Sequence, residues 1–364
     1  PTFEVRPADP VGMEPEVGDL GPRPVAEILD DEGTATRLVE DELVVSTRDE
    51  AAFDTWLHEV DGQVLQSIPG SDIIPPTWVV RLPTPGSSFS RVEVEQLGSD
   101  LQLLNGIATG HHIVTSDTAL STVATATAAV ADGLTVGLNV VAERDELLDG
   151  EVEESPNIDG VVEFANPFTW PQFARDGLPG TGTAEAWRLL AANDRADAEV
   201  TIGILDSGFA EDNDDYPEGT LGRDGIRNTT PCGGRPCPWH GTDVSVAAAG
   251  VLDNQFGSAG AAGPIGRIRQ YGLLGTTTGS MIAALATMAG EGVPPVINAS
   301  LSFTVPAALT PMMRPLEHVT RGLQILGDAV FVASAGNQGL DLNRTDCLPF
   351  GVCWERTGTY PGEM

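Results

Sequence analysis

The amino-terminal part of the chain alternates short apolar runs with amphipathic segments. The runs "ELVVST", "GQVLQSI", "TWVVRLP" and "LTVGLNVV" predict strands, because each is short and bounded by polar or turn residues. The segment "RDEAAFDTWLHEV" predicts a helix with an apolar face formed by Phe53, Trp56, Leu57 and Val60. A second helix is predicted over "TSDTALSTVATATAAVADG". The order β-α-β-β-α-β predicts a small α+β, ferredoxin-like domain over residues 37–143.

Three stretches within or next to this domain show little periodicity. Residues 1–36 are rich in Pro, Gly and acidic residues, so they are predicted to form an acidic tail. Residues 144–169 are acidic and poor in apolar residues, which indicates an exposed linker. The sequence leaves open whether residues 84–112 join the sheet of the small domain or form an insertion.

The pattern changes near Glu199 to short, almost continuous apolar runs. These are "VTIGIL", "RIRQYGLL", "PVINASL" and "AVFVAS", and helical or Gly-rich segments separate them. Such runs are typical of strands buried on both faces of a parallel sheet, with helices as crossovers. We therefore predict a second domain of α/β class, a parallel sheet flanked by helices, over residues 170–364.

The charge of the chain excludes two classes of partner. The 364 residues include 53 acidic and 19 basic residues, all 19 of them Arg, which gives a formal net charge of −34. Such a field repels nucleic acid and anionic membranes. The sequence also contains no apolar run of the roughly 18 residues needed to cross a bilayer.

The four cysteines form two close pairs, Cys232 with Cys237 and Cys347 with Cys353. Two local disulfides are the favoured interpretation. A four-thiolate zinc site and free buried thiols remain alternatives, although neither pair has the two-residue spacing usual for zinc.

Polar residues that suit acid–base chemistry follow the predicted strands of the second domain. Asp206 ends "VTIGILD", Asn337 follows "AVFVAS", and His240 begins a segment of small residues between them. Reactive groups in open parallel sheets collect beyond the carboxyl ends of the strands. A carboxylate, an imidazole and an amide can orient a base and stabilise an oxyanion. Each also has an ordinary structural explanation, as a turn former, a packed side chain or a left-handed turn residue.

The order of four segments favours the catalytic explanation over the ordinary structural ones. "VTIGILDSG", "HGTDVSVAAAG", "VINASLS" and "VFVASAGNQG" together resemble the subtilisin-like serine proteases, from about residue 170 onward. The resemblance implies an Asp-His-Ser triad in which Asp206 orients the base and His240 is the general base and then the acid. It also implies that the amide of Asn337 lines the oxyanion hole, and that the chemistry requires no cofactor.

The resemblance also implies a cleft for a polypeptide substrate between two segments. One wall comprises Ser300, Leu301 and Ser302, and the other comprises Ser334, Ala335 and Gly336. Ser302 stands where the family usually has Gly, on a wall of the primary specificity pocket. A narrower pocket is the expected consequence.

The nucleophile itself has no candidate in this sequence. Ser280, in "TGSMIAAL", precedes Asn337, whereas the family has its serine after the Asn. We predict instead that Ser280 starts a helix or belongs to a substrate loop, with N-capping as its ordinary structural role. The triad serine is expected beyond this chain, in a longer polypeptide.

By the same resemblance, residues 37–143 look like a propeptide that acts as intramolecular inhibitor and folding chaperone. The leading hypothesis is therefore a secreted, monomeric serine endopeptidase zymogen. The alternative is a catalytically inactive scaffold of the same fold that serves as a protein-binding module.

Two acidic features allow more than one interpretation. The loop Glu211 to Gly225 is either a structural calcium site or a solvated loop, and it lacks the ligand spacing of a helix-loop-helix calcium site. Asp243 lies within one turn of His240, and it either faces the imidazole or faces solvent in the first turn of a helix.

Overall fold

The fold is taken from a computed structural model, which describes residues 1–7, 23–31, 33–84, 91–105, 110–144, 183–206, 208–210, 213–222, 240–252, 254, 260–273, 276–334, 345–347, 353–355 and 357–360. The strands are β1 (Thr2–Val5), β2 (Val25–Leu29), β3 (Ala35–Ser46), β4 (Gln63–Ile68), β5 (Thr77–Arg81), β6 (His111–Val114), β7 (Val136–Val140), β8 (Glu143–Arg144), β9 (Val200–Asp206), β10 (Gly266–Gly272), β11 (Val296–Ala299), β12 (Leu301–Pro306), β13 (Val330–Ala333), β14 (Thr345–Cys347), β15 (Cys353–Glu355) and β16 (Thr357–Tyr360). The helices are α1 (Glu50–Glu59), α2 (Arg91–Asn105), α3 (Asp117–Ala131), α4 (Thr183–Ala192), α5 (His240–Ala249), α6 (Thr278–Glu291) and α7 (Arg314–Ile325), with 3-10 helices at Gly263–Ile265 and Ala307–Met313.

The amino-terminal sheet is organised around β3. The second half of β3 pairs antiparallel with β5 on one side and β7 on the other, and β5 also pairs with β4. The resulting order β4-β5-β3-β7 is that of the βαββαβ arrangement expected from the sequence. Helix α3 packs against β3 and β7. Val44 and Val45 are both fully buried although they point to opposite faces, so protein covers both sides of this sheet.

The prediction of an acidic tail over residues 1–36 is wrong for the parts that the structure describes. Strand β2 pairs antiparallel with the first half of β3, and β1 pairs in parallel with β6. Strands of four and five residues between Pro, Gly and acidic residues carry too little periodicity to be recognised. Their partners, rather than their own sequence, stabilise them. Residues 84–112 likewise contribute α2 and β6, and β6 joins the sheet.

The carboxyl-terminal part contains the predicted parallel sheet, with strand order β10-β9-β11-β13. All three neighbouring pairs are parallel. Helix α5 packs against β9 and β10, whereas α6 packs against the same strands from the other face, where the main core lies. The α/β class predicted from the almost continuous apolar runs is therefore confirmed.

A shared core joins the amino-terminal sheet to α6 and α7. One cluster of buried apolar residues includes Val44 of β3, Leu138 of β7, Leu285 of α6 and Val319 of α7. The backbones approach closely, because a Cβ at Gly137 of β7 would overlap the carbonyl oxygen of Met312. Burial of this area is the main force that holds the two parts together.

Two smaller sheets complete the described structure. Strand β12 lies between β16 and β8, antiparallel to both.

Arg144 belongs to β8, and the rest of the predicted linker, residues 145–169, lies outside the described residues. Among the helices that the structure describes, none combines the length and apolar character needed to span a membrane.

The hairpin of β14 and β15 places Cys347 directly opposite Cys353 in the backbone register. Opposed residues of an antiparallel pair have Cα atoms about 4.5–5.5 Å apart, which is within the span of a disulfide. A disulfide here stays a prediction, and Cys232 and Cys237 lie outside the described residues.

Candidate functional site

Asp206 is the last residue of β9 and is completely buried. The strand lies between β10 and β11 in the sheet, and the backbone N–H of Leu273 donates to the carbonyl oxygen of Asp206 at 2.8 Å. A carboxylate at this depth is strongly destabilised unless polar partners surround it. Its environment therefore requires specific hydrogen-bond donors.

His240 supplies one such donor. It is the first residue of α5, and its Nδ1 lies 2.7 Å from Oδ1 of Asp206. The ring is also buried, since His240 exposes only 8% of its surface. Because a carboxylate only accepts hydrogen bonds, Nδ1 carries the proton, and in the neutral ring the lone pair is therefore on Nε2. The structure thus brings together two of the three side chains predicted to converge.

Gly241 allows the start of α5 to approach the segment after β9. A Cβ at this position would lie 2.7 Å from both the carbonyl oxygen of Gly208 and the ring of Phe209. Any larger residue would push the first turn of the helix outward. The small residue beside His240 therefore has a direct steric role in bringing the imidazole to Asp206.

The sequence reasoning missed two residues at the site, Thr242 and Tyr216. The Thr242 hydroxyl accepts hydrogen bonds from the N–H of Ala210 at 2.7 Å and from the Tyr216 hydroxyl at 3.1 Å. Burial raises the pKa of Tyr216, although hydrogen bonds with Thr242 and Gln270 act in the opposite direction. The only sign of Thr242 in the sequence was its position within one helical turn of His240.

Asp243 occupies the first turn of α5 and is exposed, as expected for a solvent-facing acid favoured by the helix dipole. Nearby protein atoms still desolvate its carboxylate, and this desolvation raises its pKa. The negative charge of Asp206 raises this pKa further, whereas attraction to His240 lowers it. The carboxylate is therefore within electrostatic range of the pair without being buried beside it.

The proposed substrate walls are described only in part. Ser300 follows β11, and its hydroxyl oxygen lies 3.0 Å from the Asn298 side-chain amide. Leu301 and Ser302 begin β12 and are both fully buried. On the other wall, the N–H of Ser334 donates to the carbonyl oxygen of Ala299 at 3.3 Å. The remaining predicted residues, Ala335, Gly336 and Asn337, lie outside the described residues.

Ser280 lies in the first turn of α6 and forms a capping box with Thr277. Its hydroxyl donates to the carbonyl oxygen of Thr277 at 2.8 Å and accepts from the N–H of Thr277 at 3.0 Å. The prediction that Ser280 starts a helix is confirmed.

In the described part of the acidic loop, residues 213–222, one carboxylate is buried and forms a hydrogen bond within the protein. Asp215 is completely buried, and its Oδ1 accepts from the side-chain amide of Asn254 at 3.0 Å. Among the described residues, no three His, Cys, Asp or Glu side chains are grouped to hold a metal ion. Calcium binding by the whole loop, residues 211–225, stays a prediction.

Comparisons with known proteins give similarities of fold at low identity. No family model and no curated protein sequence matches the chain. Fervidolysin from Fervidobacterium pennivorans, a keratinolytic enzyme related to subtilisin, is 14% identical with a TM-score of 0.41, over 91% of this chain and 44% of its own. The epidermin leader peptide processing serine protease of Staphylococcus aureus is 12% identical with a TM-score of 0.42, over 89% of this chain and 67% of its own.

MycP1 from Mycobacterium smegmatis is 18% identical with a TM-score of 0.32, over 61% of this chain and 59% of its own. The chain therefore spans less than half the length of the fervidolysin chain. The contacts of Asp206 and His240, rather than these similarities, indicate the chemistry of the site.

Proposed function

We propose that the complete protein is a subtilisin-like serine endopeptidase in which Asp206 and His240 activate a serine hydroxyl from outside this chain. The single observation that carries the proposal is the buried 2.7 Å hydrogen bond between Asp206 Oδ1 and His240 Nδ1. A buried carboxylate that fixes the tautomer of an imidazole is the arrangement that prepares a general base.

The proposed reaction uses Nε2 of His240. Nε2 takes the proton of the serine hydroxyl as the serine oxygen attacks the carbonyl carbon of the scissile peptide bond. Asp206 stabilises the imidazolium ion that forms. Nε2 then gives the proton to the leaving amine, the C–N bond breaks, and an acyl-enzyme remains. A water molecule then gives a proton to the same nitrogen and attacks the ester carbon. The C–O bond to serine breaks, Nε2 returns the proton to the serine oxygen, and the acid product leaves.

Asn337 is proposed as the oxyanion donor of this reaction. It follows β13, and β13 pairs in parallel with β11 in the same sheet as Asp206. The carboxyl ends of parallel strands lie at the same edge of the sheet, so the segment after β13 starts at the edge where Asp206 ends β9. An amide donor near the developing oxyanion stabilises the transition state more than the ground state.

We assign the carrier of the serine to a helix that packs on an apolar surface beside α5. Val330 is level with Val296, and Val296 is level with Ile202, so these three side chains lie on the same face of the sheet. This is the face that α5 covers, because Ile202 packs in one cluster with Val244 of α5. Val330 and Val332 nevertheless expose 61% and 47% of their surfaces. Strands of parallel sheets are normally buried on both faces. A helix packed here would lie next to α5 and bring its side chains close to His240.

Strand β8 supports the zymogen part of the proposal. Glu143 pairs with Ser302, and Arg144 pairs with Leu301, in antiparallel register. The amino-terminal part of the chain thus occupies the backbone edge proposed for substrate. The antiparallel register places Arg144, rather than Glu143, at the end of β12 nearer to Ala299, which is level with Leu205, the neighbour of Asp206. On this basis the amino-terminal part is proposed to be an inhibitory propeptide, and the folding-chaperone role belongs to the same proposal.

An extracellular location is also part of the proposal. The two close cysteine pairs support it, since local disulfides form and persist in oxidising compartments.

The experiment that tests the proposed function is labelling of the complete protein with a fluorophosphonate probe, followed by mapping of the modified residue. We expect one labelled serine, located after Asn337, and loss of labelling in His240→Ala. Absence of labelling, with the fold intact, would support the inactive scaffold instead. Labelling at Ser280 would contradict the assignment of the nucleophile.

Removing the backbone N–H with which β8 faces β12 is expected to open the cleft. Successive N–H groups of an antiparallel strand point to opposite sides, so only one of Glu143 and Arg144 donates toward β12. In the complete, unprocessed protein, the double change Glu143→Pro and Arg144→Pro removes this donor whichever residue carries it. One such hydrogen bond contributes about 0.5–1.5 kcal/mol, so the initial rate of probe labelling should rise by about twofold to tenfold. The matched control, Glu143→Ala with Arg144→Ala, keeps both N–H groups and should change this rate little. Equal rates for the two double variants would refute inhibition by β8.

A further inference from the structure

The hydroxyl of Thr242 connects the two segments that carry Asp206 and His240. Thr242 lies two residues after His240 in the first turn of α5, and Ala210 lies four residues after Asp206. The N–H of Ala210 donates to Thr242 Oγ1 at 2.7 Å, the same length as the Asp206–His240 hydrogen bond. Displacement of this hydroxyl would therefore change the distance between the strand-end loop and the helix.

Tyr216 fixes the hydroxyl from a third segment. Its phenol O–H lies 3.1 Å from Thr242 Oγ1, in a half-buried position. A phenol of ordinary pKa, about 10, is protonated at neutral pH, and burial raises the pKa of Tyr216 further, so the group acts as a donor. Thr242 itself is only 5% exposed, and water competes poorly for its hydroxyl.

A second set of contacts anchors the same helical turn to the sheet. The Ser245 hydroxyl donates to the carbonyl oxygen of Gly241 at 2.6 Å, and the Gln270 amide approaches Ser245 Oγ at 3.4 Å. Gln270 lies on β10, beside β9. These contacts hold the turn in place, whereas the contacts of Thr242 set its position relative to the segment after Asp206.

We propose that Thr242 is a positioning residue for the Asp206–His240 pair, and that Tyr216 orients its hydroxyl. The inference rests on the proposed function, because it concerns the geometry of the proposed general base. Thr242 acts through the backbone of residues 208–210 and the first turn of α5, and it takes no part in bond making or breaking.

The test compares Thr242→Val, which keeps the shape and removes the hydroxyl, with Thr242→Ser, which keeps the hydroxyl. The first readout is the low-field proton NMR resonance of the His240 Nδ1–H, assigned by its absence in His240→Ala. We expect Thr242→Val to shift or broaden this resonance, and we expect Thr242→Ser to leave it as in the unchanged protein. In the complete protein, Thr242→Val should lower kcat by about tenfold to a hundredfold, with KM little changed, because the base is misplaced.

Two further variants separate positioning from general stability. Thr127→Val removes another buried helical hydroxyl, one that donates to Val123 within α3, and it should leave the His240 resonance unchanged. Tyr216→Phe should shift the resonance in the same direction as Thr242→Val, by a smaller amount. It decides the question if Thr242→Val does not fold.

The outcomes distinguish failure of this inference from failure of the proposed function. Absence of a low-field His240 resonance in the unchanged chain would overturn the Asp206–His240 pair itself. A normal resonance that neither Thr242→Val nor Tyr216→Phe alters would overturn only the positioning role of Thr242. A change in Thr242→Ser with none in Thr242→Val would show that side-chain volume, and not the hydroxyl, positions the turn.

Discussion

Exchanging Asp206 for Asn should lower kcat of the complete protein by about 10⁴-fold with the fold intact. The amide has the shape of the carboxylate, but its NH₂ group cannot accept the Nδ1–H of His240. The imidazole is then held in the wrong tautomer, with its proton on Nε2, where the lone pair is needed. Loss of the negative charge also removes the stabilisation of the imidazolium ion. The measurement is the turnover of a fluorescently labelled, unfolded protein substrate at neutral pH.

Asp214→Asn is the matched control for this experiment. Asp214 lies eight residues further along the chain and is exposed, whereas Asp206 is completely buried. Its change removes the same charge from the same acidic segment and should leave kcat within about twofold, since exposed charges contribute little. Circular dichroism checks that both variants fold. Equal turnover for Asp206→Asn and Asp214→Asn would exclude Asp206 from the mechanism.

The contact between Asp206 and His240 could be predicted because both residues are tied to strongly patterned elements. Asp206 ends an apolar strand, and a carboxylate at the end of a central parallel strand has its position fixed by the sheet. His240 begins a helix of small residues that packs on that strand and the next. The pattern placed both residues at the ends of elements in one sheet layer, and the resemblance to the subtilisin-like serine proteases implied that the two side chains meet.

The features that the sequence did not reveal depend on partners distant in the chain. Strand β8 has only two residues, and nothing in "ER" distinguishes them from the acidic residues that follow. Its identity as a strand comes entirely from the edge of β12. The same is true of β1 and β2, whose pairing partners are β6 and β3. The hydrogen bonds of Thr242 were equally hidden, because Tyr216 and Ala210 lie in loops without periodicity.

A buried polar network crosses the boundary between the amino-terminal sheet and α6. Glu42 of β3 is completely buried, and its carboxylate lies 3.2 Å from Arg23 and 3.3 Å from Arg81. The side-chain amide of Asn139 donates to the same carboxylate at 2.9 Å. The Asn139 carbonyl oxygen accepts from the N–H of Gly279, in the first turn of α6, at 2.9 Å. Glu42 therefore orients the amide that satisfies an otherwise unpaired N–H of the helix.

Burial raises the pKa of Glu42, although Arg23, Asn139 and Arg81 act in the opposite direction. The desolvation of the carboxylate is therefore large, and a buried ion pair of this kind contributes little net stability compared with apolar residues of the same volume. Removal of one partner is a different matter. It leaves the Arg23 guanidinium, which is only 3% exposed, in the core without its salt-bridge partner.

Glu42→Ala should consequently lower the free energy of unfolding by about 3–5 kcal/mol. The measurement is urea denaturation, monitored by circular dichroism. Glu42→Gln keeps an acceptor for Asn139 and should lose less. Glu59→Ala, at an exposed position of α1, is the control and should remain within about 0.5 kcal/mol of the unchanged chain. A loss from Glu42→Ala no larger than that of the control would show that the guanidinium groups reach other partners or water. Glu42 would then not maintain the contact between the amino-terminal sheet and α6.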